Sequence, residues 1–311
     1  MLKILTSTWL ARATTISIGS LLIITGCARQ IDSKLDTVIA TSSNPSQSAP
    51  AVPDKLMAQT EHGGHSRHDM QSMTSSVTAT AIAKLTAPNV IKPQTVVPLV
   101  INVRDNQGKP LGQFTMFQEK LMHLIVVSDD LQYFDHIHPV YKQNGRFEVT
   151  KSFPSGGRYT LLSDFKPIGQ EEQVSVLKLK VDGTPAPAIP IDMATSRPIG
   201  EIKASLELPK SGLKAGAEAM LVFKLQQNNG ALVNDLRPYL GEKGHLVIIK
   251  QSSSLARIDY IHAHPHAAAN MSDGEIHFMA KFPKPGKYKM WGQFNRGGKI
   301  VVADFWVNVS S

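Results

Sequence analysis

From residue 77 onward the chain alternates short apolar runs with turn sequences. Apolar stretches of about five to eight residues are split by Asn106-Gln107-Gly108, Pro154-Ser155-Gly156-Gly157, Asn228-Asn229-Gly230 and Lys284-Pro285-Gly286. Runs of that length, bounded by Gly, Pro and Asn, predict strands. The pattern then repeats. Gly108 to Val127 aligns without a gap on Gly230 to Ile249, and Gly145 to Phe165 aligns on Gly274 to Phe294. Between these blocks His136-Ile137-His138-Pro139 lies over His262-Ala263-His264-Pro265. Each copy closes on a β-rich run, Val174 to Val181 and Ile300 to Val309. Roughly seven strands per copy predict an all-β protein of two tandem immunoglobulin-like β-sandwich repeats, over 77–183 and 198–311, with a linker at 184–197. Tyr159 and Tyr288, each two residues after a Gly-rich turn, sit where such sandwiches place a corner tyrosine.

The pattern upstream is different. Lys3 and Arg12 precede an apolar stretch from Ile16 to Ile24, and Ile24-Thr25-Gly26-Cys27 resembles a bacterial lipobox. Residues 1–26 read as a lipoprotein signal peptide, with Cys27 the acylated residue after cleavage. A plain signal peptide, or an uncleaved anchor with an incidental Cys, is the alternative. Ala28 and Arg29 follow, with no Asp at the second position; in lipoproteins this favours the outer membrane, facing the periplasm of a Gram-negative cell. Residues 27–76 are rich in Ser, Thr, Ala, Pro and Gln and read as a flexible tether. Within it, His62, His65 and His68 are followed by Met70 and Met73. Imidazole suits Cu(II) and Zn(II) while thioether suits Cu(I), so this tract is a candidate metal-capturing arm or else a polar spacer.

Composition sharpens this picture. The 311 residues are 42% hydrophobic with a net charge of +8, and they include one Cys and 11 His. A single Cys excludes a disulfide framework, a Cys-rich zinc ribbon and an iron–sulfur ligand set. If it is lipidated, thiol catalysis and a blue-copper site go as well. No basic patch interleaves with aromatics, so nucleic acid is set aside. Nor is there a G-x-S-x-G elbow, an H-E-x-x-H pair or a repeated carboxylate pair, and the chain is read as non-enzymatic.

Six His are equivalent between copies: His123 with His245, His136 with His262, and His138 with His264. With Asp129-Asp130 as a hairpin turn, His123 lies opposite His136, and His138 shares that face two residues along. Each copy is thus expected to gather three imidazoles, a set fit for copper or zinc. Asp164 is an optional extra ligand in copy one, and His266 in copy two. The competing reading makes the same rings packing residues in a hairpin. Met122 is expected in the core, as are Met220, Met279 and Met290, while His277 is expected at the surface.

Pro238-Tyr239-Leu240-Gly241, Gly244-His245-Leu246-Val247, His262-Ala263-His264-Pro265 and Phe282-Pro283-Lys284-Pro285-Gly286-Lys287-Tyr288 carry a family resemblance. They are similar to the YtkA-like and copper-resistance immunoglobulin-like modules of bacterial envelope proteins. The first copy departs from the pattern, with Phe117-Gln118-Glu119-Lys120 in place of the Pro-Tyr-Leu-Gly turn. The resemblance implies a sandwich fold and heavy-metal handling. Together these readings give a membrane-tethered envelope protein that binds copper or a related ion for sequestration, transfer or sensing, with a possible envelope protein partner. The alternative is a structural or protein-interaction lipoprotein.

Overall fold

The structure is a computed structural model that describes residues 79–263, 265 and 274–311. Cys27, the tether tract (His62, His65, His68, Met70, Met73), His264 and His266 lie outside the described residues.

The first repeat contains β1 (Ala81–Thr86), β2 (Val96–Asp105), β3 (Met122–Ser128), β4 (Phe134–Ile137), β5 (Val140–Tyr141), β6 (Arg146–Ser152), β7 (Gly157–Phe165) and β8 (Gln173–Val181). They form two sheets, ordered β1-β2-β6-β5 and β4-β3-β7-β8. Alternation on β2 sends Val97, Leu99, Ile101 and Val103 inward, where they meet Met122, Leu124 and Val126 of β3 and Phe147 and Phe153.

The second repeat contains β9 (Ser196–Ile199), β10 (Ile202–Glu207), β11 (Leu213–Lys214), β12 (Glu218–Gln227), β13 (Leu236–Arg237) and β14 (His245–Lys250). It continues with β15 (Tyr260–Ala263), β16 (Glu275–Lys281), β17 (Gly286–Arg296) and β18 (Lys299–Ser310). The sheet β16-β12-β10-β9 packs on a larger one that runs β11-β18-β17-β14-β15. Among the described residues the only helical piece is a single 3-10 turn, Arg257–Asp259, and no helix there is long and apolar enough to cross a membrane.

The molecule is therefore two tandem β-sandwiches of one design. Both corner tyrosines close back on the chain four residues upstream: Tyr159 OH donates to Ser155 O at 2.9 Å and Tyr288 OH to Lys284 O at 2.7 Å. Phe153 and Phe282, each before a Pro, are fully buried anchors.

Two expectations need correction. Only Met290 of the three strand methionines in the second repeat is in the core; Met220 and Met279 face each other across the β12–β16 ladder on its half-buried outer face. Alternation decides this, because Ala219, Leu221 and Phe223 already fill the inward positions of β12. The hairpin register also differs. His136 is opposite Ile125, not His123, in the β3–β4 ladder, and His262 is opposite Val247. The turn after β3 is centred one residue later than Asp129-Asp130. Leu131 takes a left-handed φ of 59° there, and its N–H donates to Ser128 O. A shift of two in pairing keeps the parity, so every side chain stays on its expected face.

The two sandwiches meet through one sheet each. A third buried cluster joins Ile125, Val127, Leu131, Leu162 and Val174 of the first repeat to Val247, Ile249, Leu255, Trp291 and Trp306 of the second. Phe134 stacks on Trp291 at 4.7 Å with an interplanar angle of 13°. β3 and β14 are consequently buried on both faces, which explains why their sequences are apolar runs without alternation.

Candidate metal centre

His123 is the second residue of β3 and His245 the first of β14, each three residues after a tight turn. Phe117 and Lys120 exchange both backbone hydrogen bonds, and Tyr239 and Glu242 do the same. The four central residues (Gln118, Glu119, Leu240 and Gly241) all have positive φ, the signature of a two-residue type I′ turn. The Phe117-Gln118-Glu119-Lys120 departure in copy one thus folds into the same turn as its counterpart. Each turn aims a carbonyl at the following His. His123 Nε2 donates to Phe117 O at 3.2 Å and His245 Nε2 to Tyr239 O at 2.8 Å. A carbonyl only accepts, so both rings carry their proton on Nε2 and present Nδ1 as a lone pair.

The rings of the two copies converge on one place. His123 and His136 are 5.1 Å apart between ring centroids, His123 and His138 5.0 Å, and His136 and His138 4.8 Å. From the second repeat, His245 lies 6.5 Å from His123 and 6.1 Å from His136, while His262 lies 5.8 Å from His123 and from His245. Three imidazoles per copy, each set apart, was the expectation. The docked sheets instead bring His123, His136, His138, His245 and His262 into one cluster, with His264 outside the described residues. One ligand atom from each of His123, His136 and His138 lies within 4.8 Å of the others.

The partners cross between repeats in reciprocal fashion. His136 Nδ1 bonds Gln293 Oε1 at 2.7 Å, and His262 Nδ1 faces Asp164 Oδ2 at 3.3 Å. Gln293 and Asp164 are repeat-equivalent, as are His136 and His262, so each repeat steadies a ring of the other. Glu119 likewise meets the turn of the other copy, with Gly241 as its neighbour.

His123 Nδ1 and His136 Nε2 face each other at 2.9 Å. With Gln293 accepting through Oε1, both of these nitrogens carry lone pairs, an arrangement that a cation between them satisfies. Turning the Gln293 amide over makes it the donor to His136, which then donates to His123 and completes a metal-free network. His138 Nε2 is buried with no hydrogen-bond partner among the described residues. An orphaned buried imidazole nitrogen is uncommon in a network built only for packing.

Burial keeps these rings neutral. The His123 pKa is lowered to about 2 by desolvation and then by the neighbouring His136. His138 falls to about 3 from burial and then His136, and His136 to about 4, chiefly from burial. Neutral imidazole is the ligating form. His138 is the half-buried member and also lines a surface hollow beside Val140, Lys142 and Glu148. His277 stands apart in β16, partly exposed and bonded to Glu275 at 2.7 Å.

The sequence points to Asp164 as an extra ligand for its own copy's rings but gives Gln293 and Glu172 no part, because each copy reads as closed. The signal was present in His-Leu-Ile-Val-Val and His-Leu-Val-Ile-Ile (His123–Val127 and His245–Ile249). A sandwich strand that is apolar on both faces needs a neighbour on its outer side.

Comparison with known proteins gives low-similarity structural matches and one family. The FdeC adhesin of Escherichia coli is 13% identical, matched over 75% of this chain and 64% of that chain, with a TM-score of 0.25. A Salmonella alpha-2-macroglobulin is 14% identical over 75% of this chain and 15% of its own, with a TM-score of 0.24. The bacterial integrin-binding protein invasin is 12% identical over 75% of this chain and 40% of its own, with a TM-score of 0.22. This chain therefore spans less than two thirds of the length of each of these structures. No curated protein matches it. The profile of a family described as Domain of unknown function (DUF8832) matches twice, over residues 76–183 and 199–311, and the chain belongs to that family.

Proposed function

We propose that this protein is a non-enzymatic, lipid-anchored envelope protein that binds a transition-metal ion between its two sandwiches. The observation that carries this reading is the His123, His136 and His138 trio, whose ligand atoms lie within 4.8 Å of one another. Carbonyl hydrogen bonds fix the tautomers, His138 Nε2 is orphaned, and His245 supplies a fourth ring from the other repeat. Neutral nitrogen donors in a buried setting suit Cu(II) or Zn(II). The lipobox-like Ile24-Thr25-Gly26-Cys27 supports lipid attachment, Ala28 and Arg29 after it support the outer membrane of a Gram-negative cell, and the His62, His65, His68, Met70 and Met73 tract supports capture of ions for the interface cluster, Cu(I) included. Sequestration or hand-over to an envelope partner follows from this placement.

The test is a calorimetric titration of the full chain with Cu(II) and Zn(II), all in a background carrying His62→Ala, His65→Ala and His68→Ala. One interface equivalent is expected, weakened at least about tenfold by His138→Ala. Equal binding in parent and His138→Ala proteins sinks the interface site.

The metal-free reading, a structural or interaction module, has its own observation: His123, His136 and Gln293 close into a complete network when the amide is turned over. Under it, no stoichiometric ion binds outside the tether.

A further inference from the structure

Beside the imidazole trio lies a second group of ligating atoms, built from different chemistry. Asp164 in β7 is wholly buried and sits opposite His123 in the β3–β7 ladder. Its Oδ2 accepts from Tyr260 OH at 3.2 Å and faces His262 Nδ1 at 3.3 Å, both from the second repeat. Its Oδ1 is buried and receives no N–H or O–H donor in the hydrogen-bond network of the described residues, while the Glu172 carboxyl lies close enough to share a proton with Asp164. Glu172, the residue before β8, brings another carboxylate. One ligand atom from each of Asp164, Glu172 and His262 lies within 4.8 Å of the other two.

The duplication supplies an internal control. At the position of Asp164 the second repeat has Gln293, whose neutral amide is enough to orient His136. At the position of Glu172 it has nothing equivalent. Its β17–β18 connection is only Gly297-Gly298, whereas β7 and β8 are joined by residues 166–172. The first repeat thus adds a buried acid and a longer loop that ends in a second acid. Orienting His262 requires neither addition. Two carboxylates packed together in a desolvated site repel unless a proton or a cation lies between them. Arg257 and Lys166 bring positive charge near the pair.

We propose that Asp164, Glu172 and His262 form a second divalent-cation site, oxygen-rich and adjoining the imidazole site across the interface between the repeats. Two carboxylates and one imidazole select borderline-to-hard divalent ions such as Mn(II) and Zn(II) over Cu(I). On loading, the ion takes the place of the proton held between Asp164 and Glu172, that proton passes to buffer, and neutral His262 ligates through a nitrogen lone pair. The site stands whether or not the imidazole trio holds an ion.

The experiment titrates Mn(II) into the full chain, in the background lacking the three tether His, with the free ion followed by electron paramagnetic resonance. One equivalent is expected to bind. Glu172→Gln and Asp164→Asn should each weaken it about tenfold or more, with Glu172→Gln retaining the parent melting temperature. Absence of stoichiometric Mn(II) binding overturns the proposal, as does equal binding by a folded Glu172→Gln protein. A parallel Zn(II) titration separates the two sites. Loss of one Zn(II) equivalent in His138→Ala alone, with no Mn(II) bound, leaves the imidazole site and removes this one. Mn(II) binding that responds to Glu172→Gln, with no response of Zn(II) to His138→Ala, does the reverse.

Discussion

The centre rests on single atoms whose protonation is set by neighbours. In the unfolded chain His123, His136 and His138 titrate near 6.5, whereas in the folded protein burial holds them at about 2, 4 and 3. Above pH 6.5 both states are neutral and their contribution to stability is complete. As pH falls from 6.5 toward about 4, the unfolded chain takes up protons that the folded one refuses, and stability is lost. The expected loss is ~2 kcal/mol per ring by about pH 5. Urea denaturation at pH 7 and pH 5 should show it, and a His138→Phe protein should lose about one ring's share less. Gln293 offers a second handle. A carboxylate there accepts from His136 Nδ1 without ambiguity, so Gln293→Glu should tighten Cu(II) or Zn(II), and Gln293→Leu should weaken it about tenfold. Calorimetry with each variant decides between an ion and a metal-free network, since a network that needs Gln293 as donor gains nothing from Glu.

At the level of elements, the paired turns decide where His123 and His245 point. Gln118 and Glu119 hold φ of 47° and 60°, which side chains other than Gly, Asn and Asp adopt at a cost. Replacing the pair with Asn-Gly should raise stability by about 1 kcal/mol in urea denaturation, the Phe117–Lys120 hydrogen bonds being unchanged. An unchanged or lower midpoint would show that the Glu119 contact with the other turn outweighs backbone relief. The elements also show what was legible in the chain. Strand periods, turn sequences and the duplication give two sandwiches directly, and the faces of His123, His136 and His138 follow from alternation. The pairing of His136 with Ile125 did not, because a hairpin turn's centre depends on a left-handed residue. Leu131 fills that place without belonging to the residue types that favour it.

Over the whole molecule, one contact surface turns two modest His sets into a centre. That step was hidden because pattern analysis reads each domain's own core, whereas Asp164 meets Tyr260 and His262 only after docking. Trp291 is the largest apolar side chain in the join that also stacks on the opposite repeat. Trp291→Ala should cost about 3–5 kcal/mol. It should also weaken ion binding, while both sandwiches keep their own cores. A two-step melt in calorimetry, with each half unfolding separately, is the expected sign. A single unshifted transition would place the docking energy elsewhere.

The reciprocal contacts have an implication for assembly. His136 with Gln293 and His262 with Asp164 are one interaction made twice, once in each direction, as across the isologous face of a homodimer. Joining the halves through residues 182–195 replaces a concentration-dependent encounter by an intramolecular one, so the centre forms at any dilution. Within one chain the halves can differ, and Asp164 in one repeat where the other has Gln293 is a difference that identical subunits cannot have.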